Sequence, residues 1–325
     1  MKLVLITGVT GFVGSHLADF LLNKEVEIFG TYRWRSPKEN IKHIINKLNL
    51  INCELLDASS VMDCINKVNP DIIFHLAAQS YVPVSFKEPK ITLETNIIGT
   101  LNLLEAVRHF KLDPIIHICS SSEVYGQVRE DELPITERNP IRPASPYAVS
   151  KVGEDLISYQ YYLSYGLKTI RSRMFTHTGP RRGEVFVVSA FAKQIAMIEQ
   201  GLKEPILKVG NLDSVRTFLD VRDAVRAYWL LVTKCPPGEV YNIGGIETMK
   251  VGEMLEKLLK LSTIKNIKIE VDPERLRPSD VTLQIPSTEK FHKETGWKPE
   301  IKFDKTLEDT LNYWRNYFKR TKNVE

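Results

Sequence analysis

Tyr147 and Lys151 stand four residues apart in a helical pattern, a spacing that puts both side chains on one helix face. A free phenol ionises near ~10, too high for a base at neutral pH. An ammonium beside it stabilises the phenolate and lowers that value, so such a pair can move a proton to and from a hydroxyl. Pro146 marks the helix start and suits a side chain projecting into a cleft. Tyr-x-x-x-Lys also arises by chance, and a surface pair is the competing reading.

A second group is Ser120-Ser-Ser-Glu-Val-Tyr-Gly126, directly after the apolar run Ile115–Cys119. In a doubly wound sheet, ligands bind outside the carboxyl ends of the strands. Hydroxyls and a carboxylate delivered there can face the Tyr/Lys helix. Glu123 as a solvated loop residue and the serines as turn formers are the plainer alternatives.

Gly8-x-x-Gly11-x-x-Gly14 follows the first apolar run and opens a helical pattern. Glycines there permit a tight turn and close approach to a pyrophosphate seated on the helix N-terminus. In this context the triplet predicts dinucleotide binding. The end of the next strand, Gly30-Thr-Tyr-Arg-Trp-Arg35, lacks the acid that bonds a ribose 2′-hydroxyl in NAD sites. Arg33 and Arg35 suit a 2′-phosphate instead, which favours NADP over NAD. Two solvated arginines are the alternative.

These groups need a frame. Apolar runs at 2–7, 26–31, 50–55, 72–76, 114–119 and 167–174 are too uniformly apolar to have one wet face. They predict a parallel sheet buried on both sides. Helical patterns intervene, among them Ser15–Leu22, Thr100–Phe110 and Tyr147–Tyr165, so the fold class is α/β, a doubly wound parallel Rossmann sheet. After Phe175 the pattern turns irregular, with Gly179, Pro180 and Gly183 before a helix near 187–201. Residues 216–245 add a helix and a strand, Glu239–Ile243. A further helix, a strand at 265–271 and a closing helix near 304–318 complete the chain. The expected organisation is a cofactor domain of 1–175 plus about 216–245. A smaller, discontinuous C-terminal α/β substrate domain takes about 176–215 and 246–325.

With 43% hydrophobic and 26% charged residues in 325, the composition is that of an ordinary soluble globular protein. Forty-four basic against forty acidic residues give +4 without blocks, which suits an anionic ligand in a cleft and argues against nucleic acid. Cys53, Cys64, Cys119 and Cys235 form no metal-ligand spacing, so free thiols and no metal are expected. No apolar run approaches the ~20 residues of a spanning helix, and the first residues enter a strand without a leader pattern. No membrane partner is expected, and the expected address is the cytoplasm.

Taken in order, the glycine triplet, His75-Leu-Ala-Ala78, the strand-end Ser-Ser-Ser-Glu-Val-Tyr-Gly and Tyr147/Lys151 resemble the extended short-chain dehydrogenases acting on nucleotide sugars. The likeness spans nearly the whole chain. Gly179-Pro-Arg-Arg-Gly-Glu-Val-Phe-Val187, Gly210-Asn-Leu-Asp-Ser-Val-Arg216, Arg277-Pro-Ser-Asp280 and Gly296-Trp-Lys-Pro-Glu300 are similar to segments of the GDP-mannose 4,6-dehydratases. The resemblance implies NADP held by Gly8, Thr10, Gly11, Phe12, Val13, Gly14, Arg33, Arg35, Asp57 and Leu76–Ala77–Ala78, with Tyr147 and Lys151. It implies a GDP-sugar held by Ser80, Ser122, His177, Arg182, Val187, Lys193, Arg216 and Arg277, with Lys193 as a surface lysine the alternative. Tyr147, activated by Lys151, would take the C4 hydroxyl proton as hydride leaves C4, and Ser121 would hold that oxygen. Glu123 would remove the C5 proton and assist loss of water from C6, where the hydride returns. Such enzymes pair or form tetramers, so a homodimer or homotetramer is expected, through the helices at 100–110 and 147–165.

Some positions depart from the dehydratase pattern. Thr176 stands where Asn usually precedes the His of Phe175-Thr-His-Thr178, Ser121 replaces a more frequent Thr, and Thr10-Gly-Phe-Val-Gly14 is closer to reductases and epimerases. The rival activities are the GDP-4-keto-6-deoxy-mannose reductase, which needs no C5 base, and a dehydratase or epimerase on another nucleotide sugar. From another class, a non-catalytic NADP-binding protein is disfavoured because both Tyr147 and Lys151 are present.

Overall fold

The computed structural model describes residues 1–276, 281 and 283–322. The strands in chain order are β1 Lys2–Thr7, β2 Val26–Tyr32, β3 Asn49–Asn52, β4 Ile72–His75, β5 Ile115–Ser121, β6 Lys168–Met174 and β7 His177–Thr178. Shorter ones follow: β8 Ile206–Val209, β9 Val215–Thr217, β10 Leu219–Asp220, β11 Val240–Ile243, β12 Thr248–Lys250, β13 Lys268–Val271 and β14 Leu283–Gln284. The helices are α1 Phe12–Leu21, α2 Ala58–Val68, α3 Val82–Lys87, α4 Pro89–Leu93, α5 Gly99–His109 and α6 Pro146–Tyr165. After them come α7 Val187–Glu199, α8 Val221–Lys234, α9 Val251–Lys260, α10 Glu289–Thr295 and α11 Phe303–Lys322.

Seven parallel strands form the main sheet in the order β11-β6-β5-β4-β1-β2-β3. Consecutive residues of each strand point to opposite faces, and both faces are dry. Val4 and Ile6 of β1 pack with Leu17 and Leu21 of α1 and with Tyr228 and Leu231 of α8. Leu5, between them, packs with Ile65 of α2, Leu103 and Leu104 of α5 and Tyr161 of α6. That is why the strands read as unbroken apolar runs. The sheet is the doubly wound parallel Rossmann arrangement.

β11 enters this sheet beside β6, with Val240 opposite Arg171, so α8 and β11 return the chain to it. β9, although adjacent in sequence, pairs elsewhere, antiparallel with β12 and parallel with β14. β8 and β13 pair parallel. Over these small sheets a separate apolar cluster gathers Phe191 and Ile195 of α7, Met254 and Leu258 of α9, and Leu307 and Leu311 of α11. Phe303 stacks on Phe218 at 4.8 Å within it.

Helix ends follow from local chemistry. Ser145 caps α6 by accepting the Ala148 N–H, Pro146 occupies the first turn, and Gly166 closes the helix at φ 72°. No helix among the described residues is long and apolar enough to cross a membrane.

Candidate active site

The glycine turn joins β1 to α1. Gly8 holds φ 71°, and its N–H bonds the Thr31 hydroxyl at 3.1 Å. A Cβ on Gly14 would stand 2.4 Å from the Gly8 carbonyl oxygen, so no larger residue fits. Gly11 N–H bonds the Gly8 carbonyl, and Gly11 gives α1 no side-chain cap, which leaves the first turn suited to an anion. The Thr10 carbonyl accepts from Asn40, and Val13 packs on the apolar cluster below. Thr7 Oγ1 accepts the N–H groups of Leu76 and Ala77 at 3.0 and 3.1 Å, which sets Leu76–Ala78 beside the turn.

Arg33 and Arg35 line a recess of about 510 Å³ at the end of β2, with Asn52, Glu54 and Ser60. Arg35 lies 4.2 Å over the ring of Trp34. Asp57 is the N-cap of α2: its carboxylate accepts from the N–H groups of Ser59 and Ser60 and is held below the ordinary range, the Ser59 hydroxyl being the first cause.

Ser121 ends β5 and accepts the Glu123 N–H at 3.2 Å, which fixes the backbone turn that carries Glu123. Tyr147 lies on the first turn of α6 and faces the same cavity as Ser121. Lys151, one turn further, is buried. Its ammonium donates to the Cys119 carbonyl at 3.0 Å and meets Glu154 at 2.6 Å.

Ser121, Glu123 and Tyr147 share one cavity of about 950 Å³ with Ser80, Ser122 and His177. Arg182 of the loop after β7, Val187 and Lys193 of α7 and Arg216 of β9 complete its wall. Lys151 stands behind the wall rather than in it. Arg277 lies outside the described residues.

The cationic side of the cavity is firmly built. Arg182 lies 3.5 Å over the ring of Phe186 and 4.8 Å from that of Phe12; burial draws it down to about 10, which leaves it charged at neutral pH. Arg181 fastens the same loop to α1, donating to Asp19 at 2.6 Å and to the Asn40 carbonyl at 3.0 Å. Arg216 is buried and donates to the Val281 carbonyl. Lys193 pairs with Glu184, a partner that holds it at the rim. His177 bonds the Phe175 carbonyl through Nδ1, and burial, with Arg182 beside it, lowers it to about 3, so it is neutral.

The family profile described as GDP-mannose 4,6 dehydratase matches residues 5–310. The chain belongs to the GDP-mannose 4,6 dehydratase family. The GDP-6-deoxy-D-mannose reductase of Pseudomonas aeruginosa is 35% identical over 311 residues, covering 96% of each chain. The GDP-mannose 4,6-dehydratase of Yersinia enterocolitica is 35% identical over 340 residues, covering 93% of this chain and 90% of its own. The solved structure of RMD from Pseudomonas aeruginosa complexed with NADPH superposes with a TM-score of 0.84 at 33% identity, covering 98% of this chain and all of that one. As a member of this family of extended short-chain dehydrogenases, the chain is a nucleotide-sugar enzyme with a nicotinamide cofactor.

Lys151 pulls the Tyr147 phenol down, as the spacing predicts, and Ser121 acts in the same direction; burial is the larger effect and leaves the phenol above its ordinary value. Residues that sequence reasoning passed over also build the site. Phe186 and Arg181 position Arg182, Gln284 accepts from Ser122 at 2.7 Å, and Glu154 sits under Lys151. For Glu154 a signal was present: position i+3 from Lys151 on one helix.

Proposed function

We propose that this chain is a GDP-mannose 4,6-dehydratase in its own right, eliminating water from GDP-mannose to give the 4-keto-6-deoxy sugar, with NADP as cofactor. What supports the reading is the Glu123 carboxylate on the same cavity wall as the Ser121 and Tyr147 hydroxyls. Making a ketone at C4 needs a base for the hydroxyl proton. Loss of water across C5 and C6 needs a second base for the C5 proton and an acid for the departing oxygen. A phenol and a carboxylate answer those two needs.

Tyr147, backed by Lys151, takes the C4 hydroxyl proton while Ser121 holds that oxygen by a hydrogen bond. The ketone acidifies C5–H. Glu123 removes that proton, and the carboxyl so formed gives it to the C6 oxygen as water leaves. The hydride chemistry at C4 and C6 is what a bound nicotinamide supplies.

The glycine turn fits a dinucleotide, because its packing excludes a Cβ at Gly14 and leaves α1 without a side-chain cap. Gly8 to Gly14, Asp57 and Leu76–Ala78 would hold it. Arg33 and Arg35, with no acid between residues 30 and 35, favour the 2′-phosphate of NADP. Arg182, Lys193 and Arg216 would meet the GDP diphosphate, with Ser80, Ser122, His177 and Val187 around the sugar. On this reading residues 1–175 with about 216–245 serve the dinucleotide, and the remainder serves the sugar nucleotide. Val149, Leu156 and Leu163, spaced by seven along α6 and exposed, support pairing of two copies through this helix.

The reductase is the second reading, supported by the near-complete mutual coverage of the Pseudomonas reductase and by the superposition of RMD complexed with NADPH. Solvent deuterium separates the two. With GDP-mannose in deuterated water, the dehydratase incorporates label at C5, and Glu123→Gln abolishes it. Undiminished labelling in Glu123→Gln contradicts the role of Glu123; no labelling by the wild type, with NADPH consumed on the 4-keto sugar, makes the chain the reductase.

A further inference from the structure

An ion pair lies directly behind the Tyr147 phenol. Lys151 Nζ stands 2.6 Å from Glu154 Oε2, and the two side chains are only 5% and 2% exposed. Neither Glu154 nor Lys151 lines the cavity, so the carboxylate acts on a substrate only through Lys151 and then Tyr147. A pair this deep costs solvation, and apolar packing of the same volume would often be as stable. Stability alone therefore gives no reason for it.

The far side of Glu154 is ordered by a line of hydrogen bonds. Thr7 Oγ1 already accepts two N–H groups, so its own hydrogen goes to His75 Nδ1, 3.0 Å away. That fixes the ring proton of His75 on Nε2, which donates to Thr100 Oγ1 at 3.0 Å. The Thr100 hydroxyl in turn shares its one hydrogen between the Asn96 carbonyl at 2.6 Å and Glu154 Oε1 at 3.2 Å. One carboxylate oxygen thus faces a hydroxyl and the other an ammonium.

We propose that Glu154 is a positioning residue for proton transfer, its buried carboxylate fixing Lys151 as an ammonium beside Tyr147. The proposal rests on the reading of Tyr147 and Lys151 as the acid–base pair. The groups facing this pair are Cys119 and His117 of β5, His75 of β4, Thr100 of α5, and Tyr147 and Asp155 of α6 itself. Both imidazoles are lowered by burial to about 3 and are neutral, and burial lifts the Cys119 thiol. Asp155 is engaged by Arg171 and Arg173. Burial lifts Glu154 as well, with Lys151 and Thr100 pulling it back; apart from the Tyr147 phenolate, it is what gives Lys151 a countercharge at 2.6 Å. Without it a buried ammonium sheds its proton at lower pH, and a neutral lysine no longer stabilises the phenolate.

The test is the pH profile of kcat for Glu154→Gln and Glu154→Asp, in whichever reaction the wild type performs, with Tyr147→Phe as control. For Glu154→Gln, KM stays within about twofold. The alkaline limb of kcat moves down by at least about one pH unit, a loss of about tenfold on that limb. Glu154→Asp keeps the limb in place. A folded Glu154→Gln with the wild-type limb overturns the proposal. Activity surviving in Tyr147→Phe overturns instead the acid–base reading on which it rests. Thermal melts add a readout independent of turnover: Lys151→Met lowers Tm by stranding the carboxylate, and adding Glu154→Gln restores part of the loss. Strictly additive Tm changes overturn the proposal.

Discussion

The ring of Phe12 stacks on the imidazole of His177, with centroids 5.9 Å apart and planes 14° from parallel. The glycine turn and the wall of the sugar cavity are therefore one contact, and Arg182 closes over the same Phe12 ring at 4.8 Å. Truncating Phe12 to Ala loosens both sides together. Dissociation constants for NADPH and for GDP-mannose, measured by fluorescence or calorimetry, are expected to rise by about tenfold each, roughly the ~1–2 kcal/mol of a lost aromatic and cation–π contact. A change in one constant alone contradicts the coupling.

Acid stability carries the signature of buried imidazoles. Burial is the first cause that lowers His16 to about 4 and His75, His117 and His177 to about 3. The unfolded chain binds these protons near ~6.5 and the folded chain does not, so the unfolded state gains protons as pH falls. Stability is therefore full above that value and is lost progressively between about 6.5 and 3. Tm measured across this range should begin to fall well above the ordinary carboxylate region; a Tm flat from pH 7 to 5 contradicts it.

On the proposed reading, Arg33 and Arg35 select the cofactor. Replacing both by Ser removes the charge offered to a 2′-phosphate and should weaken NADPH by about tenfold or more while leaving NADH within about twofold. The ratio of the two dissociation constants reads this directly. Equal losses for both cofactors would place the two arginines elsewhere than at the 2′-phosphate.

Asp155, fully buried, meets Arg171 at 3.0 Å and Arg173 at 2.8 Å. Asp155→Ala strands two guanidinium groups in the interior and should cost about 3–5 kcal/mol. Urea denaturation measures it, and a midpoint near the wild type contradicts the role of the carboxylate.

Much of the frame was legible because the strands of a sheet buried on both sides cannot alternate: Val4, Leu5 and Ile6 all had to be apolar. The small sheets were less so. β9, β12 and β14 are two or three residues long and join segments 33 and 68 positions from Val215 to Thr248 and Leu283, a pairing no local pattern encodes. At the site, side chains at strand ends and on the first turn of α6 were visible as types and spacings. What they meet across the fold was not. Glu154 reads as one more helix acid until Thr100, 54 residues away, is packed against it, and the spacing that sets Lys151 beside Tyr147 says nothing of the burial that opposes it.

The most direct test of the central claim is to incubate the purified protein with GDP-mannose, without added reductant, and follow the sugar nucleotide by mass spectrometry. The expected result is loss of one water, abolished in Tyr147→Phe and in Glu123→Gln. GDP-mannose left intact by a protein that binds NADPH and oxidises it with the 4-keto-6-deoxy sugar would contradict it.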